Sequence, residues 1–219
     1  MQNKPRIFIN QKIEPGIQVV ADKNIVHYLR HVMRTSDCLV FNDGNEYDAT
    51  LSDDGKYVNV NEITMHKDPS NDLIFYFVPI KKTDEMLNMV TQMGVAELRP
   101  VITARTVAHH INWERMQKII IEASEQSGRN SVPKLLAPIK FQDLDFTDLV
   151  VADERAGHGK EILNKIESVK KIFVGPEGGF SPQEFEVMDK AGVRSLSLGK
   201  TILRAEVAAV VALAKVLDK

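Results

Sequence analysis

The sequence predicts an α/β protein: a mostly parallel sheet flanked by helices, preceded by a small β-barrel-like module. Two patterns and one break carry that prediction. Short alternating segments joined by Asp-Gly turns fill residues 6–63, which is the signal of hairpins. From residue 73 onward, apolar runs of strand length alternate with segments of helical period, which is the signal of a parallel sheet. Between them lies the polar stretch His66-Lys67-Asp68-Pro69-Ser70-Asn71, which places the boundary between a first domain (1–70) and a second (71–219).

Each element follows in chain order. Arg6-Ile7-Phe8-Ile9 alternates, Leu39-Val40-Phe41 leads into the turn Asn42-Asp43-Gly44, and residues 47–51 resume the alternation. Asp53-Asp54-Gly55 is a second turn, followed by a strand over residues 57–63, while residues 25–34 carry apolar side chains at helical spacing. Past the boundary, residues 73–78 form a buried strand. A helix over Thr83–Met93 follows, with Met86, Met89 and Met93 on its core face and Gly94 at its end. Next come a strand (95–102), a helix (113–127) with Trp113 in the core, a strand (149–152) and a helix (160–166). A strand (171–174), a helix (182–191), a strand (195–198) and a last helix (205–217) complete the series.

Composition narrows the function classes. The 28 Lys and Arg against 30 Asp and Glu give a net charge of −2, and residues 1–70 hold 8 basic and 10 acidic side chains, so neither part carries a general basic field for nucleic acid. Any anion must be held by local clusters. One cysteine, Cys38, leaves no disulfide framework and no cysteine-rich zinc site. The histidines (His27, His31, His66, His109, His110, His158) have no metal-ligand spacing, so no metal is expected. No export signal is visible, and the longest apolar run, residues 207–214, falls far short of the roughly 20 residues of a membrane span. A cytoplasmic protein with no membrane partner is expected.

The densest motif is Val174-Gly175-Pro176-Glu177-Gly178-Gly179-Phe180-Ser181-Pro182-Gln183-Glu184. A buried strand enters a glycine-rich loop and then a helix that Ser181 and Glu184 can close as a capping box, with Pro182 at the first helical position. An ordinary strand-to-helix turn explains one glycine; Pro176-Glu177 set between glycines points to a ligand loop. The G-x-G-x-x-G spacing is absent, and Glu177 suits a cationic or neutral ligand better than a pyrophosphate.

A second strand–loop–helix turn runs through Leu196-Ser197-Leu198-Gly199-Lys200-Thr201-Ile202-Leu203-Arg204-Ala205-Glu206. Six residues separate Gly192 from Gly199 where a P-loop needs four, so the nucleotide-hydrolase reading fails. Arg204 and Glu206 fit either a surface pair at a helix start or a working pair. A third cluster, Glu125-Gln126-Ser127-Gly128-Arg129, followed by Val132-Pro133, fits either a solvated helix end or, with Arg105, a ligand-facing group at the carboxyl ends of the strands.

Together these motifs resemble the bacterial 16S rRNA uridine-N3 methyltransferases of the SPOUT, or trefoil-knot, class. Arg6-Ile7-Phe8 and residues 27–34 look like that family's PUA-like N-terminal barrel, and Gln92-Met93-Gly94-Val95 with Pro100 and Arg105 like its helix–strand segment. Glu125 to Arg129, Val174 to Gly179 with Ser181 and Glu184, and Leu198-Gly199 with Ile202-Leu203-Arg204 and Glu206 follow its remaining motifs in order. Gln92, Met93, Thr201 and Val207 depart from the family's usual residues.

The resemblance implies a deep trefoil knot, a rare exception to unknotted chains. It also implies S-adenosylmethionine held by Glu154, Val174, Gly175, Pro176, Glu177, Gly178, Gly179, Leu196, Leu198, Gly199, Ile202 and Leu203. The implied catalytic residues are Arg204, to stabilise charge on a uracil carbonyl oxygen, and Glu206, to orient Arg204 or accept a proton. Arg6, Arg30, Arg34, Arg105, Gln126 and Arg129, with Lys4 and Lys134, are the implied RNA contacts. The implied partners are 16S rRNA in the small ribosomal subunit and a second copy of the chain. A different RNA such as tRNA, or RNA binding without catalysis, are the rival readings.

Overall fold

A computed structural model describes residues 4–68, 71–107, 112–155, 162 and 168–217 of the chain. The helix expected at 160–166 lies outside the described residues, as do His109, His110 and His158. The chain forms two compact units, residues 1–70 with 121–132, and residues 71–120 with 133–219. The stretch 121–132, which the sequence reading kept in the second part, therefore groups with the first.

Polar contacts explain that grouping. Glu125 accepts from the backbone N–H of Phe8 (3.0 Å), and Asn130, fully buried, is bonded on every side. Its side-chain N–H donates to the His66 carbonyl (2.7 Å), its own N–H to Asp68 (2.8 Å), its carbonyl accepts from Gly44 N–H (3.0 Å), and its Oδ1 accepts from Arg6 (2.8 Å). Buried polar groups must be satisfied, and these pairs leave the segment one place to sit.

The first unit holds β1 (Arg6–Phe8), β2 (Gln18–Val20), β3 (Asp37–Asn42), β4 (Asn45–Leu51) and β5 (Tyr57–Ile63), in the sheet order β1-β3-β4-β5-β2. β1 runs parallel to β3 and the other pairs are antiparallel. The β3–β4 hairpin closes through Asp43 (φ 49°) and Gly44 (φ 78°), both left-handed, the two-residue turn whose twist matches the flanking strands. Alternation along β3, β4 and β5 turns Cys38, Val40, Ala49, Leu51, Val58 and Val60 into one core that also buries Leu29. α1 (Lys23–His27), capped by the Asp22 carboxylate, continues as a π-helical turn over Tyr28–Met33 and stops at Arg34 (φ 54°).

In the second unit β6 (Ile74–Phe77), β7 (Glu97–Ile102), β8 (Lys134–Leu135), β10 (Leu149–Ala152), β11 (Lys171–Val174) and β12 (Arg194–Leu196) form a sheet in the order β12-β10-β11-β6-β7-β8. β9 (Ile139–Lys140) adds to β7, and every pairing is parallel. The helices are α2 (Thr83–Met93), the first half of α3 (Trp113–Ser127, which passes into the first unit at residue 121), α4 (Pro182–Lys190) and α5 (Ala205–Val216). β10 and β11 are apolar on both faces because helices cover them, as parallel sheets require.

Three expectations need correction. Trp113 is the first residue of α3 and is 38% exposed, so it is not a core anchor. Met86 is buried, but Met89 and Met93 are only half-buried, because Leu87, Val90 and Thr91 complete the packed face of α2. The strand expected at 195–198 ends at Leu196, where Ser197 Oγ accepts from Gly199 N–H (3.3 Å) and turns the chain out of the sheet. Among the described residues, no helix is long and apolar enough to cross a membrane.

Candidate functional site

β12, β10 and β11 are adjacent and parallel, so the loops that leave them emerge side by side at one edge of the sheet. The chain goes from β10 to β11 on one side and then crosses back to place β12 on the other. Crevices for ligands open at such reversals. The cavity found there measures about 440 Å³, within the range of small-molecule sites.

Its wall has three parts. The first is Ala152, Asp153 and Glu154, directly after β10; the second is Val174 to Gly179, after β11; the third is Leu198 to Leu203 with Ala205 and Ala208, after β12 and on α5. The structure thus brings together Glu154, Val174, Gly175, Pro176, Glu177, Gly178, Gly179, Leu198, Gly199, Ile202 and Leu203. Leu196 does not join them: it is fully buried as the last residue of β12, two positions before the wall begins at Leu198.

The glycine loop is shaped by what it touches. A Cβ on Gly175 would stand 2.9 Å from the Phe180 ring, and Phe180 stacks edge-on against Phe173 (4.9 Å) and Phe185 (5.5 Å) in the core. Gly179 is left-handed (φ 66°), and a side chain there would run into the Glu154 carboxylate. The expected capping box at α4 is present. Ser181 Oγ accepts from Glu184 N–H (3.2 Å), while the Glu184 carboxylate accepts from Ser181 N–H (2.8 Å) and from Ala104 N–H (2.8 Å). Arg105 donates to the carbonyls of Gly178 (2.6 Å) and Phe180 (3.2 Å), so this arginine fixes the loop from outside.

Carboxylates dominate the polar lining. Partial burial, with the charge of Asp153 beside it, pushes the Glu154 carboxyl above the ordinary carboxylate value. Asp153 goes the other way. Burial opposes its ionisation, but hydrogen bonds from Arg155 and Ser195 outweigh that and hold it below the usual range. Among the described residues no group of three or more His, Cys, Asp or Glu side chains is placed to hold a metal ion.

The expected catalytic pair separates. Arg204 is exposed at the N-terminal cap of α5, between Leu203 and Ala205 of the cavity wall. Glu206 is 5% exposed and does not line the cavity; its Oε1 lies 3.7 Å from Lys82 Nζ, and its Oε2 has no hydrogen-bond partner among the described residues.

The expected RNA contacts divide as well. Arg6 is spent internally: it pairs with Glu46, donates to the Arg129 carbonyl (2.6 Å) and lies over the Phe41 ring. Its guanidinium is therefore not available to a phosphate, which corrects that expectation. Lys4 is exposed and pairs with Asp48. Arg129 is half-buried, and that burial lowers its pKa, while Gln126 and Lys134 are exposed. Arg30 and Arg34 are exposed and line a second hollow of about 380 Å³ with Thr35, Ser36, Ser52 and Asp53. Arg30 donates there to the Asp53 carbonyl (2.5 Å).

A model of the RNA methyltransferase domain matches residues 67–217. The chain belongs to the RNA methyltransferase family. Ribosomal RNA small subunit methyltransferase E of Rickettsia conorii is 33% identical, over 96% of this chain and 94% of that relative. The protein of the same description from Mesomycoplasma hyopneumoniae is 26% identical over 96% and 97%. Among solved structures, the small subunit methyltransferase E of Neisseria gonorrhoeae bound to S-adenosyl methionine is 27% identical. It superposes with a TM-score of 0.82 over 97% of this chain and 96% of that one.

In this RNA methyltransferase several cavity residues were not among the expected ligand contacts: Ala152, Asp153, Lys200, Thr201, Ala205 and Ala208. For Asp153 a signal existed. Asp153-Glu154-Arg155 directly follows a fully apolar strand, where a parallel sheet presents its loops.

Proposed function

We propose that this chain transfers a methyl group from S-adenosylmethionine to N3 of a specific uridine in 16S rRNA of the small ribosomal subunit. The observation that carries the reading is the cavity at the carboxyl ends of β10, β11 and β12, lined by backbone-rich glycine loops and by the carboxylates of Glu154 and Glu177.

The residues fit the donor's chemistry. S-adenosylmethionine supplies, when bound, an electrophilic methyl on a sulfonium centre and a cationic amino group. Glu154 and Glu177 offer negative charge to such a ligand, and the glycines of the second wall expose backbone groups that a purine edge can bond. Leu198, Ile202 and Leu203 supply apolar wall. Leu196 supports that wall from within β12.

The acceptor sets its own demands. Uracil N3 carries a weakly acidic proton that must pass to solvent water before the nitrogen can attack. Arg204, exposed at the positive end of α5, stabilises charge developing on a uracil carbonyl oxygen, and the helix N-terminus adds to the same field. Glu206 is enclosed beside Lys82, whose pKa is raised by Glu85 first and by Glu206 in part. That placement supports a role in positioning the start of α5 over direct proton acceptance. Holding nucleophile and methyl in line supplies a large part of the rate.

RNA contacts are assigned to Arg30, Arg34, Gln126, Arg129 and Lys134, with Arg105 serving the glycine loop instead. The five-stranded sheet of the first unit is read as a PUA-like barrel, the crossing of the chain from β11 back to β12 as part of a trefoil knot, and the working form as a cytoplasmic homodimer. Mass spectrometry of rRNA nucleosides from a deletion strain tests the target. Loss of N3-methyluridine from small-subunit RNA supports it, and loss of a tRNA nucleoside instead redirects it. Calorimetry with S-adenosylmethionine tests the enzyme against a non-catalytic RNA-binding protein.

A further inference from the structure

Behind the cavity a single side chain bonds directly to the first wall and to the helix that follows the second, and reaches the strand before the third through a shared carboxylate. Arg155 follows Glu154 and is absent from the cavity wall. Its guanidinium forks between two carboxylates. Nε and Nη2 donate to Asp153 (2.9 and 2.6 Å), and Nη1 and Nη2 donate to Asp189 (2.7 and 3.0 Å). The plane of the fork is backed by the Phe185 ring, 3.8 Å from the guanidinium carbon to the ring centre.

The two carboxylates belong to different elements around the cavity. Asp153 is the first residue after β10, and its side chain is wholly buried. Asp189 and Phe185 lie on α4, the helix that the glycine loop feeds. Asp153 also accepts from Ser195 Oγ (2.8 Å) on β12, and its N–H donates to the Leu196 carbonyl (3.0 Å), which fixes the strand from which the third loop departs. We propose that Arg155 is a positioning residue for the cofactor pocket, holding the three loops in register through Asp153, Asp189 and Ser195. The proposal rests on the reading of that cavity as the S-adenosylmethionine site.

Physical chemistry favours a role beyond stability alone. A bidentate arginine–carboxylate fork is directional and fixes angle as well as distance, which a lysine at the same place cannot do. The arrangement also assigns charge. Arg155 pairs with the buried Asp153, so the carboxylates left unpaired by it in the lining are Glu154 and Glu177, beside the cation of Lys200. A ligand spanning all three loops senses their spacing, and displacements of about an ångström at a site can cost on the order of a hundredfold in function.

The test uses the full-length protein, calorimetry with S-adenosylmethionine, thermal unfolding without ligand, and methyl-transfer kinetics. Arg155→Lys keeps the charge and loses the fork. Asp189→Asn weakens the half-exposed arm to α4 and leaves Asp153 paired with Arg155, so it is the milder variant and serves if the first does not fold. The expected result for each is a dissociation constant raised on the order of tenfold or more, with KM for the donor rising and kcat at saturation nearly kept. The double variant should bind no more weakly than the poorer single one, since both cut one network. Wild-type affinity in both variants overturns the proposal, and so does a lower unfolding midpoint with unchanged affinity. Failure of the wild-type protein itself to bind S-adenosylmethionine overturns the cofactor reading instead.

Discussion

The carboxylate of Glu154 fills the space into which a side chain on Gly179 would project. The first wall of the cavity is thus moulded onto the second, and no residue but glycine fits the second without moving the first. Gly179→Ala should weaken S-adenosylmethionine binding by about tenfold or more, because it must displace Glu154 and hold alanine at φ 66°, a left-handed conformation that costs roughly 1 kcal/mol. Calorimetry on the variant, with circular dichroism to show that the fold persists, checks this.

Glu154 also links the site to pH. Burial raises its pKa in the folded protein. A carboxyl raised by folding contributes stability below its unfolded value, and that contribution is lost as pH rises through the folded value. At neutral pH the ionised group therefore costs stability. Glu154→Gln should raise the unfolding midpoint of the ligand-free protein near neutral pH, with the gain disappearing in acid. The same change should weaken donor binding, because one negative charge facing the cationic ligand is gone. Unfolding curves with and without S-adenosylmethionine at two pH values separate the effects.

The first unit should depend on Asn130. Replacing it with alanine leaves the His66 carbonyl without its donor and Arg6 short of one acceptor, and unsatisfied buried groups cost about 1–3 kcal/mol each. Asn130→Ala should lower the unfolding midpoint by several degrees and leave S-adenosylmethionine affinity unchanged. Differential scanning calorimetry and a binding titration test both halves of that statement.

With a net charge of −2 and few free arginines, RNA affinity should fall only gently with salt. Each phosphate contact contributes a slope of roughly 0.7–0.9 in log–log form. Arg30→Ala and Arg34→Ala should each reduce the slope by about one such contact, whereas the internally paired Arg6 makes no such contribution. Filter binding of small ribosomal subunits across a salt series measures it.

How much of this was legible in the sequence follows from the range of the forces involved. α2, α3, β10 and β11 were readable to the residue, because apolar period and caps are local signals. The capping box of Ser181 and Glu184 was readable for the same reason. The Asp153–Arg155–Asp189 fork was not, since Arg155 and Asp189 lie 34 residues apart and meet only after β10, β11 and α4 have packed. Nor was the internal use of Arg6, whose partners Glu46 and Arg129 come from distant parts of the chain. An arginine reads alike in sequence whether it faces a phosphate or a buried carboxylate. The grouping of residues 121–132 with the first unit was hidden likewise, because it depends on what Asn130 and Glu125 find across the fold.

The most direct measurement incubates the purified protein with S-adenosylmethionine carrying a labelled methyl group and small ribosomal subunits lacking the modification. The RNA is then digested and its nucleosides resolved by mass spectrometry. The account predicts label in N3-methyluridine of 16S rRNA with wild-type protein, and a loss on the order of a hundredfold with Arg204→Ala. Label in no nucleoside, or undiminished label with Arg204→Ala, would contradict it.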